Sequence, residues 1–338
     1  MGGRGHRVEQ SIIAVVYQSH GNPAEVLSLE KIPCPSPGPG QALVRVQAAP
    51  VNPADLNAIE GKYPVRPVLP ATPGFEGAGV VVRLGPGVTD PPVNARVILP
   101  HNVGTWREAL VVNAADLVVY PDEIEPAQAA MLKINPLTAW RLLHGYVELK
   151  SGEWLIQNAA NSAAGRAVIQ IAHESGLKTV NVVRRAELFD ELKAEGGDVV
   201  LLDDDSLGAA VKTATDGARI RLGLNAVGGD SALRLMNTLA FGGTLVSYGA
   251  MSLQPLKVPT GLLLFKDLRL RGMWINKWYD EATPEERINI WRPLLDMARR
   301  GVLKAKIERT YPLGEVKSAV GRAAEGKRGG KVVLQISS

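Results

Sequence analysis

A stretch of small residues in the middle of the chain has the composition of a nucleotide-binding turn. Residues 154–157 predict a short apolar strand, residues 158–165 consist of Asn, Ala, Ser and Gly, and Val168 and Ile171 begin a helical face. Small side chains at such a turn let backbone N–H groups and the positive end of a helix dipole approach a pyrophosphate. The same composition fits a tight helix-packing turn, so this segment alone leaves both interpretations open.

Two adjacent arginines follow the next predicted strand. An NAD site usually places an acidic residue at this point, on the ribose 2′-hydroxyl. Arg184 and Arg185 instead match a 2′-phosphate, because a planar guanidinium binds phosphate in a bidentate manner. A solvated basic loop is the alternative interpretation, but the strand–turn–helix context favours NADPH over NADH.

Tyr63 is a plausible side chain for acid catalysis. It lies in a loop flanked by Gly61 and Pro64, the kind of segment that borders a cleft, and a positioned tyrosine hydroxyl can donate a proton. From the residues alone, a tyrosine that serves only packing is the favoured interpretation.

The sequence does not offer a set of side chains with the types and spacing of metal ligands. Cys34 is the single cysteine, which excludes internal disulfides and zinc sites built from several thiolates. His101, His144 and His173 do not have the i, i+4 spacing of helical metal ligands. We therefore predict no metal site.

The elements that must position these residues change character near Glu125. Before it, short alternating segments punctuated by Gly and Pro indicate a partly open all-β barrel. From there to about Gly272, strands alternate with helices as in a parallel doubly wound sheet. The predicted strands of this part are 154–157, 179–183, 199–202, 222–227 and 244–248. A chain of 338 residues suits two such domains sharing a cleft.

The C-terminal part predicts one strong helix and a returning strand. Thr283, Pro284 and Glu286 form a capping-box sequence, and Gly301 is a suitable end for the helix. A lone strand at residues 332–335 needs a sheet to join, so we expect the C-terminus to return to the N-terminal domain.

Composition restricts the partners and the location. The chain is 46% hydrophobic, has no apolar run of membrane-spanning length, and carries a formal net charge of only +4, with scattered basic residues. Neither a membrane nor nucleic acid is implied. Arg4, His6 and Arg7 precede no signal-peptide core, so we expect a leader outside the fold and a cytoplasmic protein.

Several longer segments occur in an order that is typical of one family. They are Val51-Asn52-Pro53-Ala54-Asp55-Leu56-Asn57 with Gly61-Lys62-Tyr63-Pro64, Gly104-Thr105-Trp106, Asn135-Pro136-Leu137-Thr138-Ala139-Trp140, residues 158–172, Asn181-Val182-Val183-Arg184, and Leu264-Phe265-Lys266-Asp267-Leu268 with Leu270-Arg271-Gly272. With them the chain resembles the medium-chain dehydrogenase/reductases, and within these the trans-2-enoyl-CoA/ACP reductases of the mitochondrial type.

The resemblance implies an α/β fold with two domains. A GroES-like, partly open β-barrel catalytic domain would comprise residues 1–126 and 273–338, and a Rossmann-type NADPH-binding domain residues 127–272. Zinc-dependent members of the superfamily hold metal with Cys and a Gly-His-Glu element. Here the corresponding place reads Gly74-Phe75-Glu76-Gly77, so the resemblance implies a zinc-free enzyme.

The resemblance also implies roles for individual residues. Tyr63 falls at the position of the proton donor, and Asn52, Trp274 and Trp278 are predicted to contact substrate. The positions that would line the NADPH site are Asn135, Asn161, Ser162, Ala163, Ala164, Gly165, Arg184, Arg185, Tyr248, Gly249, Ala250, Met251, Met273, Trp274, Ile275 and Lys331. Two of them depart from the family: Ala163 replaces a common Gly, and Met273 replaces a usual aromatic residue.

The activity implied is NADPH-dependent reduction of the C2=C3 bond of enoyl-CoA or enoyl-ACP, with acyl carrier protein as a possible partner. A zinc-free NADPH:quinone oxidoreductase and a non-catalytic NADPH-binding protein are the alternatives. The Trp274, Trp278 and Tyr279 cluster fits either a core or the wall of an acyl channel. Residues 268–274 alternate like an edge strand, which predicts a homodimer joined sheet to sheet.

Overall fold

A computed structural model describes residues 11–326 and 328–337 of the chain. The expected leader, residues 1–10, and Lys327 lie outside this part. The strands are β1 (Ser11–Tyr17), β2 (Leu27–Pro33), β3 (Gln41–Val51), β4 (Ala78–Leu84), β5 (Arg96–Ile98), β6 (Ala109–Asn113), β7 (Val118–Val119), β8 (Trp154–Gln157), β9 (Lys178–Val183), β10 (Val199–Leu202), β11 (Leu222–Asn225), β12 (Thr244–Ser247), β13 (Arg269–Gly272), β14 (Ile307–Pro312) and β15 (Lys331–Gln335).

The α-helices alternate with these strands mainly in the middle of the chain. They are α1 (Pro23–Val26), α2 (Pro53–Ile59), α3 (Pro126–Ala129), α4 (Asn135–His144), α5 (Ala163–Glu174), α6 (Phe189–Ala194), α7 (Leu207–Ala214), α8 (Gly229–Thr238), α9 (Thr260–Lys266), α10 (Ile275–Glu281), α11 (Pro284–Arg299) and α12 (Val316–Ala324). Among the residues described, no helix has both the length and the apolar character needed to cross a bilayer.

The chain divides into two compact units. The first comprises the residues up to Ile134 and those from Ala305 on, and the second comprises Asn135–Lys304. These bounds differ from the predicted ones, because residues 127–134 group with the first unit and residues 273–304 with the second. Helix α11 packs against α4, and the segment after it is fastened to α5 by the Arg300–Glu174 ion pair of 2.6 Å.

The first unit is built on a β-sheet that the C-terminal strands complete. Seven of its described strands form one sheet, in the order β14-β15-β3-β4-β5-β7 with β6 paired to β3, and β1 pairs with β2. The C-terminal strand returns as expected, since β15 lies antiparallel to β3. Helix α12 buries Val316, Ala319, Val320 and Ala323, at i, i+3, i+4 and i+7, in the core of this unit.

The second unit contains the expected doubly wound sheet. Its strands are all parallel and follow the order β10-β9-β8-β11-β12-β13. The chain moves outward from β8 to β10 and then continues on the other side with β11, so the direction reverses between β8 and β11. Ligands of open α/β sheets bind at the carboxyl ends of the strands at such a switch point.

Candidate active site

Two buried asparagines mark the switch point in the second unit. Asn158 follows β8 directly and donates from Nδ2 to Asn225 Oδ1 at the end of β11 (2.9 Å), while its own Oδ1 accepts from the Ala226 N–H (2.7 Å). Both side chains are fully buried. Because every one of these polar groups has a partner, the two loops that border the switch point are held at a fixed separation.

The turn between β8 and α5 has the expected strand–turn–helix form. Ser162 is the N-cap of α5, and its hydroxyl accepts from the Gly165 N–H (3.1 Å). A Cβ on Gly165 would lie 2.6 Å from the Ala160 carbonyl oxygen, so glycine allows the helix to pack closely on the turn. Asn161, Ser162 and Ala163 are half-buried, whereas Ala164 and Gly165 are buried.

The loop after β12 joins the same edge of the sheet. Tyr248 N–H donates to the Asn225 carbonyl (2.9 Å) and Met251 N–H to the Ala226 carbonyl (3.0 Å), which fixes the predicted segment Tyr248 to Met251 beside β11. The Tyr248 hydroxyl is buried without a hydrogen-bond partner among the described residues. Burial raises its pKa, and the nearby Ser162 side chain at the start of α5 opposes that rise.

The remaining predicted residues of the second unit follow β9 and β13. Arg184 is exposed directly after β9, and Arg185 forms a 3.2 Å ion pair with Glu187. Met273 N–H donates to the Ser247 carbonyl (2.9 Å). Beyond it Trp274 is 41% exposed, Ile275 is buried, and the Arg141 guanidinium stacks on Trp278 at 4.7 Å.

Tyr63, the predicted proton donor, belongs to the first unit. It is half-buried just after α2, and its backbone N–H donates to the Asn57 carbonyl (3.1 Å). Its ring contacts Phe75, with centroids 5.1 Å apart and the rings inclined by 52°. The loop therefore has a defined packing partner, as a positioned acid requires.

Asn52 and Lys331 share one buried polar cluster in the first unit. The Asn52 amide donates to Glu76 Oε1 (2.9 Å), and the Lys331 ammonium donates to Asn52 Oδ1. Glu76 Oε2 accepts from the Ile134 N–H (2.9 Å). Burial raises the pKa of Glu76 and lowers that of Lys331, while their mutual attraction opposes both shifts. The predicted substrate residue and the predicted cofactor residue thus belong to one network.

Asp55 is a functional candidate that the sequence did not single out. It is 1% exposed and accepts from the Asn52 N–H (2.7 Å) and the Phe75 N–H (2.9 Å). Burial raises the pKa of this carboxyl to about 7, although these two N–H groups and the Lys331 charge lower it. An acidic residue in the first turn of a helix is ordinarily a solvated cap, so its type and spacing carry no sign of burial.

Metal ligands do not converge in the part of the chain that the structure describes: no group of three or more His, Cys, Asp or Glu side chains could hold an ion. Cys34 is a half-buried free thiol.

Comparison with known proteins identifies the family. Residues 38–122 match the model of the alcohol dehydrogenase GroES-like domain, and residues 163–290 match the model described as zinc-binding dehydrogenase. Over 297 residues the chain is 41% identical to the mitochondrial enoyl-[acyl-carrier-protein] reductase of Caenorhabditis elegans, a match that spans 86% of this chain and 85% of that protein. The chain belongs to the mitochondrial-type enoyl-[acyl-carrier-protein] reductase family.

Solved structures agree with this family assignment. Etr1p belongs to a mitochondrial 2-enoyl thioester reductase from Candida tropicalis. Its complex with NADP and crotonyl-CoA superposes on this chain with a TM-score of 0.88 at 27% identity. The match covers 96% of this chain and 99% of that one. A Bacillus thuringiensis protein described as an NADPH:quinone reductase gives 0.90 at 27% identity, covering 97% and 100%. The predicted fold class, a GroES-like domain with a Rossmann-type sheet, is confirmed.

The second unit of this reductase-family chain fits a nicotinamide dinucleotide. Asn135 Nδ2 is buried and finds no hydrogen-bond partner within the described residues, so it can donate to a ligand. The first turn of α5 presents backbone N–H groups, and Arg184 and Arg185 follow β9 where a 2′-phosphate would lie.

Proposed function

We propose that this protein reduces the C2=C3 double bond of trans-2-enoyl thioesters with NADPH. The observation that carries the proposal is the 41% identity to an enoyl-[acyl-carrier-protein] reductase over 86% of the chain. The Etr1p complex with NADP and crotonyl-CoA supports the same cofactor and thioester class. The substrate is a trans-2-enoyl chain held as a thioester on CoA or on acyl carrier protein.

The residues of the second unit bind and orient the cofactor. Bound NADPH supplies the hydride for the β-carbon of the thioester. The N-terminus of α5 binds the pyrophosphate with its backbone N–H groups, and Ser162 holds that helix start in place. Arg184 and Arg185 bind the 2′-phosphate, and the Asn135 amide donates to the ligand. We likewise assign Tyr248 to Met251 and Met273 to Ile275 to the cofactor side.

Tyr63 completes the reduction by donating a proton to the α-carbon. A conjugated thioester is already electrophilic, so acid catalysis of about 10² to 10⁴-fold by one hydroxyl is sufficient without a metal. Asn52, Trp274 and Trp278 contact the substrate in this proposal. Lys331 acts through the buried cluster in which its ammonium and the Asn52 amide are joined.

Substitution of Tyr63 tests the proposal. Tyr63→Phe should lower turnover of crotonyl-CoA by about tenfold or more, with the NADPH dissociation constant nearly unchanged, because only the proton is lost. Tyr311→Phe, a tyrosine of the first unit's core, is the matched control and should behave as wild type. Wild-type turnover by Tyr63→Phe would remove Tyr63 from the mechanism.

Quinone reduction is the second candidate, since the Bacillus thuringiensis structure superposes with a TM-score of 0.90. Rates of NADPH oxidation with crotonyl-CoA, a long-chain enoyl-CoA and a benzoquinone, each repeated with NADH, separate the two activities. Enoyl thioesters should give the highest kcat/KM, and only with NADPH. A protein that turns over only the quinone would refute the enoyl reductase proposal.

We also propose a homodimer, formed by pairing of β13 with its symmetry mate. Strand β13 ends the six-stranded sheet, and no strand among the described residues covers its outer side. The neighbouring α9 has no buried residue, and it exposes Leu264 and Phe265 by 69% and 80%. Such an apolar surface beside an open edge favours association.

A cytoplasmic location stays a prediction of the sequence, to be checked by imaging a tagged chain.

A further inference from the structure

One buried carboxylate holds both segments that contact Tyr63. Asp55 Oδ2 accepts from the Asn52 N–H at the start of α2, and Oδ1 accepts from the Phe75 N–H (2.7 and 2.9 Å). Asn52 and Phe75 are separated in sequence, and Asp55 is the side chain that bonds to the backbone of both. With its two oxygens used in this way, the carboxylate fixes the distance between α2 and the Phe75 segment.

Tyr63 depends on each of these segments. The end of α2 leads into its loop, where the Lys62 and Tyr63 N–H groups both donate to the Asn57 carbonyl (2.8 and 3.1 Å). On the other side its ring packs on Phe75 at 5.1 Å. A change in the separation of α2 and Phe75 would therefore move the Tyr63 hydroxyl.

We propose that Asp55 positions Tyr63 and makes enoyl reduction dependent on pH near neutrality: the ionised carboxylate holds Tyr63 in place, and its protonation releases it. The inference rests on the proposed role of Tyr63 as proton donor. It extends that role, because a residue that contacts neither substrate nor cofactor would set the pH range in which the enzyme works.

The hydrogen-bond geometry and the charges nearby support such a response. An ionised carboxylate accepts N–H bonds strongly at both oxygens, whereas a protonated one carries a hydrogen on one oxygen, which then donates and is a weaker acceptor. Burial raises the pKa of Asp55 to about 7, within the range of ordinary assays. The charged groups around Asp55 are Glu76 and Lys331. Lys133 in turn lowers the pKa of Glu76, and Arg328 lowers that of Lys331. The Asp55 charge also raises the pKa of Tyr17.

Acidification through the pKa of Asp55 should raise the stability of the folded protein while it lowers activity. Because the folded pKa of Asp55 lies above its ordinary value of 3.8, the folded protein binds this proton more tightly than the unfolded chain. This residue's contribution to the free energy of unfolding therefore rises as the pH falls through 7. A loss of activity caused by Asp55 protonation is thus distinguishable from unfolding.

The experiment measures kcat for crotonyl-CoA at saturating NADPH between pH 6 and pH 8. Wild type should lose up to about tenfold in kcat on going from pH 8 to pH 6, as one group with a pKa near 7 requires. Asp55→Asn should have a low kcat that does not change with pH, and an NADPH dissociation constant close to wild type.

Two further variants keep the test independent of how well Asp55→Asn folds. Phe75→Leu retains the N–H donor to Asp55 but removes the ring, so its kcat should fall while its melting temperature stays within a few degrees of wild type. Glu108→Gln alters a carboxylate of the same unit that accepts from the Ile13 N–H, and its pH profile should match wild type.

A double-mutant cycle distinguishes the possible failures. If Asp55 acts through Tyr63, Asp55→Asn with Tyr63→Phe should be no slower than Tyr63→Phe alone. A wild-type kcat that is flat from pH 6 to 8, or additive losses in the cycle, would overturn the role of Asp55 and leave enoyl reduction by Tyr63 intact. A Tyr63→Phe protein with wild-type kcat would instead refute the proton donor itself.

Discussion

Arg184 and Arg185 occupy the two positions after β9, but the surroundings of their side chains differ. Arg184 is exposed, whereas Arg185 is paired with Glu187. An exposed ion pair contributes little to stability, so Arg185 can still turn to a phosphate at small cost. Arg184 should therefore carry the larger share of selectivity for the 2′-phosphate.

Substitution of Arg184 should show this selectivity. Arg184→Ala should raise the KM for NADPH by about tenfold or more and leave the KM for NADH nearly unchanged, since a charge-assisted bidentate contact is lost only with the phosphate. Arg219→Ala, an exposed arginine of the same unit, is the control. An equal rise in the KM for NADPH and for NADH would contradict the assignment of Arg184 to the 2′-phosphate.

The site could be anticipated from sequence only where its residues act locally. The roles proposed for Tyr63, the turn before α5 and the two arginines follow from their neighbours in the chain or from family motifs. Asp55 was not, because its role depends on Phe75, which is twenty positions away. Lys331 and Asn52 were assigned to separate sites, although they are hydrogen-bonded across 279 positions. Only the folded chain brings such partners together.

At the scale of elements, the strands of the second unit were predicted closely. β8 and β10 have the expected bounds, since short apolar runs between polar turns leave little choice. β11 ends at Asn225, two residues early, because the Asn225 side chain accepts from the Val227 and Gly228 N–H groups (3.1 and 3.0 Å) and so ends the strand pairing. The capping box at Thr283 begins α11 as predicted. Helix α9 was not foreseen, because only Leu262 packs on the core while its other large apolar residues are exposed, so no helical periodicity of burial marks it.

Two glycines in helices of the second unit give opposite expectations. Gly165→Ala places a Cβ 2.6 Å from a backbone oxygen and should lower the free energy of unfolding by about 1–3 kcal/mol, with weaker NADPH binding. A Cβ on Gly208, in α7, has no other atom within 4 Å, so Gly208→Ala should raise the free energy of unfolding by about 0.5–1 kcal/mol. Chemical denaturation measures both changes, and a neutral Gly165→Ala would show that the turn before α5 can relax.

At the scale of the whole molecule, the open edge of β13 and the apolar α9 should determine the oligomeric state. Phe265→Glu places a charge on this surface and should convert a dimer into a monomer, as measured by light scattering at micromolar concentration. Ile288→Glu, at an exposed position of α11, should remain dimeric. A wild-type protein that is monomeric at this concentration would refute the dimer.

The first unit is assembled from both ends of the chain, and this sets an order of events on the ribosome. Asn52, Asp55 and Glu76 are synthesised long before Lys331, whose ammonium offsets part of the negative charge of Asp55 and Glu76. Until translation reaches β15, two carboxylates of the nascent chain lack this counter-ion, so the surroundings of Tyr63 have to remain hydrated. The second unit is contiguous in sequence and can fold during that interval, whereas the first unit is completed only after β15 has been synthesised.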